Sequence, residues 1–259
     1  MVSTQALIFM FVTLLISFLL PIILVIYFHR KERISLKAVL VGALVFIVFQ
    51  MLTRIPLLNY LSAQEWYRSL ATNLFFVSLF LSLTAGLFEE VGRFIGFKYF
   101  LKNQLERKNG IAYGLGHGGI EAILLVGFTY INNIVISLMI NSGTFDSQIG
   151  AQLGSQTAAI IKNQLLNTMP LVFAAAGLER IFAMVIQVAL SLIVLYGVME
   201  QRLIYLIYAI LLHALVNLPA VIITSLGLSL WFSEFYLLIV AVVAYLYINR
   251  SKQYFDRRI

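Results

Sequence analysis

Leu87-Phe88-Glu89-Glu90-Val91-Gly92-Arg93 sets two adjacent carboxylates and a guanidinium inside a run otherwise apolar enough to cross a membrane. Each such charge at the centre of a spanning helix costs about 2.5–3.5 kcal/mol and a core leucine returns only about 0.5, so the three together cost roughly 8 kcal/mol. Something must compensate for them. Glu90 and Arg93 are spaced i,i+3 and Glu89 and Arg93 i,i+4, so the arginine can bridge back to either carboxylate and leave the other facing a bundle interior. Taken alone, the stretch reads equally well as a structural ion pair between helices. The rest of the chain decides.

Of the 259 residues, 61% are hydrophobic and 11% charged, against about 25% charged in a soluble domain. Apolar runs fall at roughly 5–28, 38–57, 71–97, 110–140, 174–199, 203–225 and 228–248, each long enough to span a bilayer. They predict an all-α, polytopic transmembrane helical bundle of about seven spans, a single integral membrane domain over residues 1–259. Basic residues cluster in alternate connections: Arg30, Lys31, Arg33 and Lys37; Lys98, Lys102, Arg107 and Lys108; Arg202; and Arg250, Lys252, Arg257 and Arg258. By the positive-inside rule that side is cytoplasmic, with the N-terminus out and the C-terminus in. The net charge of +7 is thereby a matter of orientation and the lipid bilayer, and no nucleic acid partner is expected.

No Lys or Arg precedes the apolar run of residues 1–28, which is also too long for the core of a cleavable signal peptide. Cysteine is absent, which excludes disulfides, a thiolate nucleophile and cysteine-based metal centres. Residues 58–70 read as an interfacial amphipathic segment with an aromatic belt. Residues 141–168, rich in Ser, Gln, Asn, Gly and Thr, read as the one long outer loop, either simply solvated or a lid over an entry path.

Further ionisable residues lie at membrane depth. Tyr113, His117 and Glu121 recur every fourth residue and share a helix face, while Gly110, Gly114 and Gly118 form a ridge beside it where another helix can approach. His213 and Asn217 are again i,i+4, and Pro219 beyond them cannot donate to the carbonyl of Leu215, so a kink and a free acceptor are expected there. At 1.5 Å per residue from the basic boundaries, Glu89, His117 and His213 lie at depths of roughly 13, 11 and 16 Å. Three helices distant in sequence thus carry Glu, His and His to a common level in the cytoplasmic half. Glu179-Arg180, by the same count near 33 Å, reads as an interfacial ion pair unless a break near Gly177 draws it inward.

A carboxylate and a histidine in a partly dry cavity suit general-base activation of water, and a second His with an Asn suits stabilisation of an oxyanion. An aspartyl dyad is excluded, because Asp146 and Asp256 are the only aspartates and both fall outside the spans. A His-Glu-x-x-His zinc signature is missing, and Ser229 lies far from the histidine level.

Glu89-Glu90-Val91-Gly92-Arg93, Gly116-His117-Gly118-Gly119-Ile120-Glu121 and His213-x-x-x-Asn217 together resemble the YhfC family of intramembrane proteases. That family is distantly similar to the type II CAAX prenyl endopeptidases, the bacterial CPBP (Abi) proteins, PrsW and the APH subunit of γ-secretase. The resemblance covers about residues 75–220. The CAAX motifs are Glu-Glu-x-x-x-Arg, Phe-x-x-x-His and His-x-x-x-Asn; here Tyr113 stands for the Phe, and Arg93 follows the Glu pair one residue sooner.

The resemblance implies that Glu89 and His117 activate water, that His213 and Asn217 form an oxyanion hole, and that Glu90 with Arg93 holds the helix in place. Glu121 fits the YhfC pattern alone and would orient His117 or substitute as base. Family names speak of metalloproteases whereas the CAAX relatives resemble glutamic proteases, so the cofactor is either none or a divalent metal such as zinc, held by His117, His213, Glu89 or Glu90. The expectation is an intramembrane endopeptidase acting on a membrane peptide or protein substrate, multi-pass in the bacterial cytoplasmic membrane. Its rivals are a non-catalytic scaffold or chaperone resembling the APH subunit, and a small-molecule or proton-coupled transporter. The sequence leaves oligomeric state open.

Overall fold

The computed structural model describes residues 1–256, which are helical almost throughout and include no strand. In chain order the helices are α1 (Thr4–Glu32), α2 (Leu36–Ser62), α3 (Glu65–Ala71), α4 (Leu74–Phe100), α5 (Arg107–Ser142), α6 (Ser155–Asn167), α7 (Pro170–Met199), α8 (Ile204–Ser225) and α9 (Leu230–Asp256). All but α3 and α6 are long and apolar enough to cross a membrane, giving the seven spans that the apolar runs predict. The helices outrun those runs at their polar ends, because backbone hydrogen bonding does not stop where hydrocarbon does. Thus α9 continues two turns past residue 248, to Asp256.

Local chemistry sets several boundaries. Ser35 caps α2 by accepting from the Ala38 amide, and Asn73 caps α4 by accepting from that of Phe76. Gly143, at φ 76°, ends α5 in the left-handed conformation that costs glycine nothing. Inside α2 the turns widen to π-helix over Ile47–Arg54, and inside α5 over Ala122–Gly127.

The chain divides into two compact units, Met1–Leu20 with Ala122–Ile181, and Pro21–Glu121 with Phe182 onward. In the first, Val2, Ala6, Met10, Tyr130, Leu165 and Phe173 form the core, and the Phe173 carbonyl accepts from Thr13 Oγ1 at 2.6 Å and from the Tyr130 hydroxyl at 3.1 Å. Here the expected loop of residues 141–168 is corrected: most of it is helical, as the π turn Asp146–Gly150, Ala151–Leu153 and α6. Its polar composition hid a helical stripe, for Ala158 and Leu165 are buried seven positions apart and Ile161 packs between them. Residues 58–70 form the end of α2 and most of α3, with Ala63 and Gln64 between them. The Glu179 and Arg180 side chains pair with each other, and α7 runs through Gly177 without a break.

The second unit contains the larger core and all three sequence motifs. Its helices approach at glycines. A Cβ on Gly116 of α5 would strike the Val39 backbone of α2, and one on Gly86 of α4 would come 2.5 Å from the Ile210 carbonyl of α8. The ridge Gly110, Gly114 and Gly118 meets α7 at Leu192 and Leu195, at Val188, and at Met184 and Gln187. Pro219 stays within the continuous α8, and the Leu215 carbonyl that it deprives of a partner accepts from the Tyr236 hydroxyl of α9 at 2.8 Å.

Candidate active site

Helix α4 brings Glu89, Glu90 and Arg93 into the second unit on consecutive turns, all buried. Arg93 turns to Glu90 and not to Glu89. Its Nε donates to Glu90 Oε2 at 2.8 Å and its Nη2 to Oε1 at 3.2 Å, the two-pronged geometry that makes Arg–carboxylate pairs strong. Its remaining donors go to α7: the Gln187 carbonyl at 3.1 Å, Gln187 Oε1 at 2.5 Å, and Ser191 Oγ. Tyr113, fully buried, lies under the guanidinium with its ring centre 5.6 Å away. With five hydrogen bonds, the guanidinium has spent every N–H that it owns.

Glu89 is left to the imidazoles. His117 of α5 places Nε2 2.9 Å from Glu89 Oε2, and His213 of α8 places Nε2 3.8 Å from the same oxygen. His213 Nδ1 lies 2.8 Å from Glu90 Oε1. A carboxylate only accepts, so each of these short contacts is an imidazole N–H donating. That leaves His213 Nε2 facing Glu89, and His117 Nδ1 buried without a hydrogen-bond partner among the described residues. His117 is further wedged between the rings of Phe46, 5.2 Å away, and Tyr113, 6.2 Å away.

Two residues that the sequence reading passed over complete the cluster. Gln187 is 5% exposed and Ser191 fully buried. Because Gln187 Oε1 accepts from Arg93, its Nε2 must point the other way, donating to Glu121 at 2.9 Å and to Glu89 at 3.3 Å. The signal available was the i,i+4 spacing of the two polar residues in the apolar run 181–198. Asn217 lies one turn beyond His213 on α8, half-buried, with no hydrogen bond to the described residues.

The group that could hold a metal ion shares Glu89 and His117 with the expected set and adds Glu121. The ligand atoms of Glu89, His117 and Glu121 all lie within 4.8 Å of one another. Glu90 and His213 are instead committed to each other and to Arg93. Two carboxylates and an imidazole make a donor set suited to zinc or a similar divalent ion, so the residues present fit such a group.

Carboxylates and imidazoles from three spanning helices, gathered with Gln187 and Ser191 of a fourth, define a polytopic α-helical membrane protein with an ionisable centre. Comparison with known proteins narrows this class. Residues 16–245 match the model of a family described as "YhfC intramembrane metalloprotease". The "Uncharacterized membrane protein YhfC" of Bacillus subtilis (strain 168) is 41% identical over 223 residues, which is 86% of each chain. No solved structure matches. The chain belongs to the YhfC family.

Proposed function

We propose that this protein is an intramembrane endopeptidase that hydrolyses a peptide bond of a membrane-embedded or membrane-apposed substrate. The observation that carries the reading is the placing of Glu89 between two imidazoles, at 2.9 and 3.8 Å, while the neighbouring charges of Glu90 and Arg93 absorb each other. Glu89 is thereby the carboxylate left to accept a proton from water as that water attacks the scissile carbonyl. His117 Nε2–H holds the accepting oxygen in place. The oxyanion formed is received by His213 Nε2 and the Asn217 carboxamide, donation from Nε2 requiring a ring protonated on both nitrogens. Collapse of the adduct breaks the C–N bond, the departing amine takes the proton from Glu89, and a carboxylic acid and an amine leave.

The family's description favours a metal-assisted form of this chemistry. A divalent ion bound by Glu89, His117 and Glu121 would supply Lewis-acid polarisation of the water. The basic connections of the sequence support a centre in the cytoplasmic half of the bilayer.

The test is cleavage of a panel of membrane peptides by the purified parent, Glu89→Gln, His117→Ala and His213→Ala proteins in liposomes. Each variant is expected to lose about a hundredfold or more in rate. Unchanged cleavage in all three ends the proposal. A scaffold or a transporter would instead cut nothing as the parent. Bound metal in the parent, lost in Glu121→Ala, selects the metal-assisted form.

A further inference from the structure

The second unit buries another guanidinium, treated very differently from that of Arg93. Arg54 of α2 is 8% exposed, and its hydrogen bonds go only to neutral acceptors: Thr84 Oγ1 at 3.2 Å, Gln50 Oε1 at 3.3 Å and the Leu81 carbonyl at 2.7 Å. Arg93 spends five donors and holds a carboxylate in a two-pronged grip. Arg54 spends three and, among the described residues, holds none. A full positive charge at this depth is neither snorkelled to the surface nor neutralised, which is the situation in which an intramembrane arginine marks a ligand path.

Backbone geometry points the same way. Arg54 closes the π-helical stretch Ile47–Arg54, a widening frequent at working sites. Arg54 grips α4 at Leu81 and Thr84, eight and five residues before Glu89. At 1.5 Å per residue this sets the guanidinium about 7–12 Å along the helix from the proposed catalytic carboxylate. An extended peptide covers that distance in roughly two to four residues.

We propose that Arg54, with Gln50 and Thr84 holding it, is a subsite for a carboxylate of the peptide substrate, a few residues from the bond positioned at Glu89. This deepens the reading of the protein as a peptidase and rests on it. The carboxylate is either the C-terminus of the substrate or an acidic side chain near it, and both meet a guanidinium with the same planar pair of oxygens.

The experiment measures binding, so that a failure to cleave does not decide it. Three fluorescent apolar peptides are titrated against the full-length Glu89→Gln protein in detergent: one ending in a free carboxylate, the same peptide as its terminal amide, and the amide carrying a glutamate near its end. At least one acidic peptide is expected to bind about tenfold more tightly than the plain amide, and whichever does so names the source. In Glu89→Gln/Arg54→Gln the advantage disappears while the amide binds as before, and in Glu89→Gln/Arg54→Lys it is reduced. The acid–amide comparison in the Arg54 protein stands even if a variant fails to fold. Equal binding of all three peptides, binding of none, or an advantage that survives Arg54→Gln in folded protein overturns the proposal.

Discussion

At Arg93 the cost of a charge in hydrocarbon is met atom by atom, by Glu90 on its own helix and by Gln187 and Ser191 on α7. Removing one partner of such a buried pair is far worse than removing both, because a lone charge stays behind. Arg93→Met is therefore expected to cost about 3–5 kcal/mol and Arg93→Met/Glu90→Gln distinctly less. Denaturant unfolding of the purified variants in detergent reads this directly; a double variant that loses as much as Arg93→Met or more would mean that the carboxylate left behind carries no penalty. The same economics explains what the sequence disclosed. Glu89, Glu90, Arg93, His117 and His213 were legible because each is conspicuous in an apolar run. Gln187 and Ser191 were not, since neutral polar groups barely alter the hydropathy of α7, and their importance lies in contacts across 94 and 98 residues of chain. Arg54 escaped as a single charge inside a 27-residue helix.

At the level of helices, packing is governed by where backbones are allowed to touch. The small-residue ridge of α5 was readable from its fourfold spacing, and it does meet a neighbour, α7. Gly116, on another face, is tighter still: an added methyl would enter the space of the Val39 backbone, so α2 and α5 could accommodate it only by moving apart. Gly116→Ala is expected to destabilise the protein by about 1–3 kcal/mol, although alanine is the better helix former. Thermal unfolding checks the sign; a gain in stability would show that the two helices have slack. The proline in α8 was legible as a loss of one hydrogen bond. That Tyr236 of α9 would make good the loss was not, because the partner comes from 21 residues away. For α6, polar composition read as a loop, and the helix lay hidden in the spacing of apolar positions, of which Ala158 and Leu165 are buried.

For the molecule as a whole, seven spans followed from apolar length alone, while the orientation rests on basic residues in the connections. The absence of cysteine offers a clean background for testing it. Ser3→Cys and Lys252→Cys, at exposed positions near the two ends, are expected to react with a membrane-impermeant maleimide from outside intact cells and only after lysis, respectively. The reverse pattern would invert the topology and move the centre to the other leaflet. The centre is also assembled from residues made at very different moments: Glu90 precedes its His213 partner by 123 residues, and Glu89 precedes Gln187 by 98. At ribosomal speeds of about 5–20 residues per second, α4 waits roughly 6–25 seconds in the translocon's vicinity before α8 is synthesised. Nascent chains that stall in that interval carry half-finished electrostatics into the lipid, which makes them natural quarry for membrane quality control.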